Sequence, residues 1–310
     1  MTAMMRTREC CGSARVCLLG VPLDNVTPAE ALDRIFDALR TGSGGWVLTP
    51  NLDILRRLVR DPGFREMTTP ATLRLADGMP LLWASRLQGT PLRARVAGSD
   101  LIWLVCDRAA REERTVFFLG GNPGAAENAA IKLSERYPGL RVVGTECPPL
   151  GFEADPEYMR ALERRISSAV PEICFVALGS PKQDRVIRDL VGKFPSIWFL
   201  GVGISFSFVS GEVKRAPRCL QRLGMEWLHR LAQEPRRLGR RYLVEGLPFA
   251  AFLFWRSLCR RAVGLGSRPE GSQGPVCEGG GDRHQVAVSS TFARDVGESS
   301  ENRMKASLPG

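Results

Sequence analysis

Asp77 stands in the run Leu75-Ala76-Asp77-Gly78-Met79-Pro80, where a carboxylate can either turn the chain or take a proton. Asp-Gly is among the commonest turn dipeptides, so the pair alone argues for a turn. Its company argues for chemistry. Thr49-Pro50-Asn51 closes an earlier apolar run, and Arg95-Val96-Ala97-Gly98-Ser99-Asp100 follows. Together these stretches supply an acid, neutral hydrogen-bonding side chains and a permanent cation. That set suits a sugar-diphosphate site with a general base.

Two Gly-bearing turns add to it. Gly120-Gly121-Asn122-Pro123-Gly124 follows the apolar run Thr115 to Leu119. Glycines let backbone approach an anion closely, and the helix that follows favours negative charge at its start. A structural strand-to-helix turn would carry the same residues. Gly179-Ser180-Pro181-Lys182-Gln183-Asp184 closes a second apolar run. Here Ser180 is expected to cap a helix, with Pro181 at its first position and Asp184 closing the capping box. Such a start is also friendly to anions, so the structural and functional readings hold together.

Other chemistries lose their support. His229 and His284 are the only histidines, which argues against a His-rich metal centre or a Ser-His-Asp triad. Neither GxGxxG nor GxxxxGK[ST] occurs, so nicotinamide dehydrogenases and P-loop NTPases are disfavoured. The nine cysteines are odd in number and have no paired CxxC spacing, which speaks against a disulfide framework or zinc ribbon and for a reducing cytoplasm. No apolar stretch reaches the 18 residues a membrane-spanning helix needs, and the N-terminus, interrupted by Arg15, does not read as a signal peptide.

The elements that must position these residues alternate. Thr27-Pro28-Ala29-Glu30 is a capping box opening an amphipathic helix to Arg40. A strand over 46–49, a helix over 53–61, a turn at Asp77-Gly78 and a helix over 100–111 capped by Ser99 follow. Three later units share one shape: an apolar strand (115–119, 172–178, 197–200) ends in glycine, and the first two lead into helices to Tyr137 and about Lys193. Strand-Gly-helix repetition predicts an α/β fold, Rossmann-like, with a largely parallel sheet flanked by helices. Ligands of such sheets sit beyond the carboxyl ends of the strands, where these turns lie.

The 310 residues carry 43 Lys/Arg against 33 Asp/Glu, a net charge of +10. Between Gly211 and Leu265 there are 12 Lys/Arg and 4 Asp/Glu, so most of the excess lies there. Arg230, Arg236, Arg237, Arg240 and Arg241, then Arg256, Arg260 and Arg261, flank the apolar run from Gly246 to Trp255. Ten such residues cannot cross a bilayer but suit an anionic membrane surface. A helix packed on the core with solvated arginines fits equally well. No nucleic-acid motif accompanies the charge, so no nucleic-acid partner is expected. The expected organisation is a flexible extension over 1–14, an α/β core over 15–210, a basic helical appendage over 211–265 and a disordered tail over 266–310.

With these residues in view, the chain resembles the WecG/TagA/CpsF glycosyltransferases, glycosyltransferase family 26. The resemblance spans roughly residues 16–245 and rests on an ordered series: Thr49-Pro50-Asn51, Ala76-Asp77-Gly78, Arg95 to Asp100, Phe118-Leu119-Gly120-Gly121, Gly179 to Gln183 and Gly201-Val202-Gly203. Arg215-Ala216-Pro217, Glu226-Trp227-Leu228, Arg230-Leu231 and Glu234 to Leu238 complete it. It implies transfer of a sugar from a UDP-sugar to a polyprenyl-diphosphate-linked saccharide, with inversion, in cell-surface polymer synthesis. It also implies a place on the inner face of the plasma membrane. Asp77 falls on the family's base and Thr49, Asn51, Arg95 and Gln183 on its substrate contacts. Arg230, Arg237 and Arg240 fall on the arginines that the appendage brings over the site. Gly120, Gly121 and Gly179 are taken as further substrate-binding positions. Asp184 departs from the glutamate common in the family, keeping the charge with a shorter reach.

No DxD, the usual way a glycosyltransferase holds a divalent metal on UDP, occurs in the sequence, so no metal and no cofactor is expected. Arginines, backbone N–H groups and helix dipoles must then stabilise the leaving diphosphate. A single in-line displacement, with Asp77 taking the acceptor's hydroxyl proton, meets these demands. Two other classes stay open at this point: a membrane-surface binding module built on the basic segment, and a nucleotide-dependent oxidoreductase. Which sugar is moved, and whether the chain forms a homo-oligomer, is not specified.

Overall fold

A computed structural model describes residues 15–213, 216–217, 220, 225–233 and 235–264. The expected N-terminal extension over 1–14 and C-terminal tail over 266–310 lie outside the described residues.

The described residues begin with an antiparallel hairpin, β1 (Arg15–Leu18) and β2 (Val21–Asp24), whose short strands carry no distinctive sequence pattern. The capping box at Thr27 forms as expected: its Oγ1 accepts from the Glu30 N–H, and the Glu30 carboxylate accepts from the Thr27 N–H, opening α1 (Pro28–Arg40).

The body is a six-stranded sheet in the order β4 (Leu73–Arg74), β3 (Gly45–Leu48), β8 (Trp198–Gly201), β7 (Ile173–Ala177), β5 (Thr115–Gly120) and β6 (Arg141–Glu146). Every pairing is parallel. The apolar runs dictate this, because a strand buried on both faces must be apolar at every position. In register, Trp46, Phe199, Cys174 and Phe117 form one row, and Val47, Leu200, Phe175 and Phe118 form the next. The first row packs beneath α2 (Leu52–Arg60), α4 (Met79–Gln88) and α8 (Lys182–Val191). The second packs beneath α1, α5 (Gly98–Arg111), α6 (Ala125–Arg136) and α9 (Ser205–Ser210). Phe118 stacks on Phe175 and meets Phe206 edge-on, both at 5.4 Å between ring centroids. Strand β6 escaped the sequence reading because, as an edge strand, it has no fully buried residue and hence no continuous apolar run.

The remaining helices of the body are α3 (Pro62–Met67) and α7 (Pro156–Ala169). The basic segment is helical where it is described: α10 (Glu226–Gln233), α11 (Pro235–Gly239), a wide π-type stretch over Arg240–Gly246 and α12 (Leu247–Ala262). Helix α12 has a buried face and an exposed apolar face. Phe249, Leu253 and Ser257, spaced four apart, are buried in the core layer that includes α4. Leu247, Phe252, Trp255 and Leu258 stay exposed, Trp255 by 59%. Phe249→Ala is therefore expected to destabilise the fold by about 3–5 kcal/mol, read as a lower midpoint in chemical denaturation.

Two predicted caps are not used. Helix α5 starts at Gly98 rather than after Ser99, because the Leu101 N–H that Ser99 would cap already donates to the Ala97 carbonyl at 2.9 Å. Helix α8 has Pro181 at its cap and no side-chain bond there. The Gln183 N–H donates to the Gly179 carbonyl at 2.8 Å, which removes a donor that Ser180 would have accepted.

Candidate active site

The carboxyl ends of β3, β4, β8 and β7 bring most of the sequence-predicted residues together through short backbone links. The Asp77 N–H donates to the Pro50 carbonyl at 2.9 Å, and the Val96 N–H to the Ala76 carbonyl at 2.9 Å. Thr49, Asp77 and the Arg95 loop therefore share one rim. Thr49 is buried, and its hydroxyl donates to the Gly201 carbonyl at 3.3 Å. Asn51 caps α2, its side-chain oxygen accepting from the Ile54 N–H at 3.0 Å, which leaves its NH2 group to meet a ligand. Gln183 is buried, and its carbonyl oxygen accepts from the Gly203 N–H at 3.1 Å, bracing the Gly201-Val202-Gly203 turn. A side chain at Gly201 would meet the Gln183 amide nitrogen at 2.8 Å and so displace the Gln183 amide from the turn it braces.

Asp77 is partly buried at this rim. Its pKa is pushed up to about 7, first by loss of hydration and further by the charges of Glu226 and Asp100. The Arg95 guanidinium and a hydrogen bond from the Gly98 N–H pull the other way. The early start of α5 now has a purpose, since it turns that N–H, at the positive end of a helix, toward the Asp77 carboxylate. Gly98 also sits too close to Gly201 and Thr49 for a larger residue to be comfortable: an added Cβ would lie 3.3 Å from the Gly201 oxygen and 3.5 Å from the Thr49 hydroxyl.

Arg95 is largely enclosed between two carboxylates. One guanidinium nitrogen lies 3.1 Å from Asp100 and the other 3.4 Å from Glu226. Glu226 belongs to the C-terminal segment and received no role from the sequence. Its only signal was membership of the Glu226-Trp227-Leu228 run.

The Gly-bearing turns lie on neighbouring strands. The Gly121 N–H donates to the Ala177 carbonyl at 2.7 Å, so the turns after β5 and β7 are joined. Gly120 has φ +100° and a side chain there would meet that same carbonyl at 2.8 Å. Gly179 has φ +71° and open space around it. From β5 the chain passes outward to β6, and from β7 it passes the other way to β8. The strand order thus reverses between these two turns, the position where open parallel sheets bind ligands.

Beneath the rim, Asp184 is fully buried, with the Ser180 hydroxyl beside it. Burial lifts its pKa to about 6, with Ser180 and Arg57 lowering it. A second network ties the basic segment to α2. Arg241 lies 2.8 Å and Arg56 2.9 Å from Asp53, and Arg56 also pairs with Glu245 at 2.5 Å. Arg240, predicted to face the site, is exposed and lies 3.8 Å from Glu245. Arg230 and Arg237 lie on α10 and α11, and their side chains fall outside the described residues.

The sequence profile of the glycosyl transferase WecG/TagA/CpsF family matches residues 16–263, covering hairpin, sheet, rim and basic segment alike. This chain is a member of that family. It is accordingly a glycosyltransferase, and the resemblance carried by the ordered motifs holds over a longer stretch than the motifs span. A relative from Bacillus spizizenii, N-acetylglucosaminyldiphosphoundecaprenol N-acetyl-beta-D-mannosaminyltransferase, is 31% identical over 202 residues, covering 65% of this chain and 76% of the relative. Among the described residues no helix is long and apolar enough to cross a membrane.

Proposed function

We propose that this WecG/TagA/CpsF glycosyltransferase moves a hexose of the N-acetylmannosamine type from a UDP-sugar to a saccharide carried on polyprenyl diphosphate, inverting the anomeric carbon with Asp77 as general base. The observation that carries this reading is the placement of the partly buried Asp77 carboxyl group at the carboxyl-end rim of a parallel sheet, beside Arg95 and the N-terminus of α5, where lost hydration raises its pKa to about 7. The Bacillus spizizenii relative's name supplies the sugar and the lipid-linked acceptor.

The chemistry follows from the arrangement. The acceptor hydroxyl gives its proton to Asp77 as its oxygen bonds to the anomeric carbon. The bond from that carbon to the donor diphosphate breaks, and UDP leaves with the electron pair. A base with a pKa near 7 accepts a proton far more readily than an ordinary carboxylate while remaining ionised just above neutrality. Thr49, Asn51 and Gln183 order the rim, and the glycines at 120, 121 and 179, free of side chains, let the turns after β5 and β7 approach the donor diphosphate closely. Strands β4 and β7 are three intervals apart, roughly 14 Å at the usual strand spacing. That distance favours an elongated, two-ended donor. Arginines, including Arg230, Arg237 and Arg240 of the basic segment, would take the place of a divalent metal on the diphosphates.

The exposed Leu247, Phe252, Trp255 and Leu258, bordered by exposed Arg256, Arg260 and Arg261, suit the anionic surface on which a polyprenyl-linked acceptor resides. The proposed setting is the cytoplasmic face of the plasma membrane. UDP release, measured with a panel of UDP-sugars, a polyprenyl-diphosphate-linked N-acetylglucosamine analogue and vesicles containing anionic lipid, tests this reading. Turnover with one donor, and vesicle binding that weakens as salt is raised, are expected. Vesicle binding without UDP release from any donor would instead favour the binding module.

A further inference from the structure

The C-terminal segment touches both walls of the site with opposite charges paired. On one wall α10 brings Glu226 to Arg95, and on the other Arg241 and Glu245 clasp Asp53 and Arg56 of α2, the helix that begins at Asn51. The two contacts are not equivalent. The α2 clasp is one turn away from the rim, whereas Glu226 reaches a residue whose charge acts directly on Asp77.

We propose that Glu226 is a positioning residue of the transfer reaction, holding one arm of the Arg95 fork while Asp100 holds the other, so that the guanidinium is fixed beside Asp77 only when the C-terminal segment is seated. The side chains of Arg95 and Glu226 are 19% and 21% exposed, so neither is an idle surface group. An arginine held at two nitrogens by two carboxylates keeps its plane, and a single carboxylate leaves it free to swing about the remaining contact. This inference rests on the assignment of Asp77 as the base.

Among the described residues, the charged groups that face Asp77 are Arg95 from the loop before α5, Asp100 from α5 and Glu226 from α10, with the Gly98 N–H as the neutral donor. Removing the Glu226 charge takes away one influence that raises the Asp77 pKa, so the acid limb of the rate must move to lower pH. Two substitutions separate charge from reach. Glu226→Gln keeps the shape and loses the charge; Glu226→Asp keeps the charge and shortens the reach.

The test measures kcat, KM and the pH–rate profile of the full chain with UDP-N-acetylmannosamine and the polyprenyl-linked analogue on anionic vesicles. Wild type, both variants and Asp77→Asn are compared, with Tm and vesicle binding as controls. Glu226→Gln is expected to lose about tenfold in kcat with its acid limb displaced downward. Glu226→Asp is expected to lose kcat with the limb in place. Wild-type Tm and vesicle binding in both would exclude general loss of structure. A Glu226→Gln enzyme with the wild-type kcat and limb, beside an inactive Asp77→Asn, would overturn the role of Glu226 alone. Full activity in Asp77→Asn would overturn the base assignment and this inference with it.

Discussion

Asp77→Asn is expected to abolish sugar transfer and, above neutral pH, to leave the folded protein more stable than the wild type. The kinetic loss is that of a general base, roughly 10²–10⁴-fold. The gain in stability follows from linkage. The carboxyl group has a folded pKa of about 7 against an ordinary 3.8, so between these values the folded state holds a proton that the unfolded state releases. Stability is then lost as pH rises through that window, and above pH 7 the full penalty is present. Asparagine has no proton to lose. At pH 8 the variant should gain roughly 2–4 kcal/mol, the partial exposure of the side chain discounting the upper end. Below pH 4, where both states of the wild type are protonated, the difference should vanish. Thermal unfolding at the two pH values, beside the transfer assay, reads both effects. A variant that is inactive and equally stable at both pH values would mean that Asp77 is not strained by burial.

Arg95→Ala should be the next most damaging change. Asp77, Asp100 and Glu226 would then share one rim without the cation that offsets them. Arg95 lowers the Asp77 pKa, so its loss must raise that pKa and move the acid limb of the rate upward. Glu226→Gln moves it the other way. At neutral pH the base would be largely protonated, and the orientation that the two-armed contact gives would be gone as well. A loss of at least 10²-fold at pH 7, partly recovered at pH 9, is the expected result. Arg95→Lys keeps the charge but cannot bridge two carboxylates as a fork does. It should hold the limb near its wild-type position while kcat stays low. Loss of activity that is equal at every pH would contradict a charge role for Arg95.

Much of the sheet was legible because a two-faced strand must be apolar throughout. Thr115 to Leu119, Glu172 to Leu178 and Ile197 to Leu200 announced β5, β7 and β8 to within a residue or two at each end. What escaped was half-exposed or short: β6 at the sheet edge, the two-residue β4, and the hairpin at Arg15. The Thr27 box was readable because both reciprocal bonds are local. The Ser99 and Ser180 caps were misread because the donors they would have served were claimed by carbonyls at Ala97 and Gly179. The rim residues could be named in sequence but not their partners. That Gln183 braces Gly203, or that Glu226 reaches Arg95 across 131 positions, is written in the topology alone. The α12 run illustrates the same limit: its composition fitted a core helix and an exposed apolar face, and the helix has one face of each kind.

The central claim is that a carboxyl group at position 77 takes the proton during transfer. Its most direct measurement is the initial rate of UDP release from pH 5 to 9, for wild type and Asp77→Asn in one assay with donor, lipid-linked acceptor and vesicles. The account predicts a wild-type rate that climbs with a midpoint near 7 and levels above it, and a variant that stays at background throughout. A variant that releases UDP at the wild-type rate, with the same climb, would contradict it.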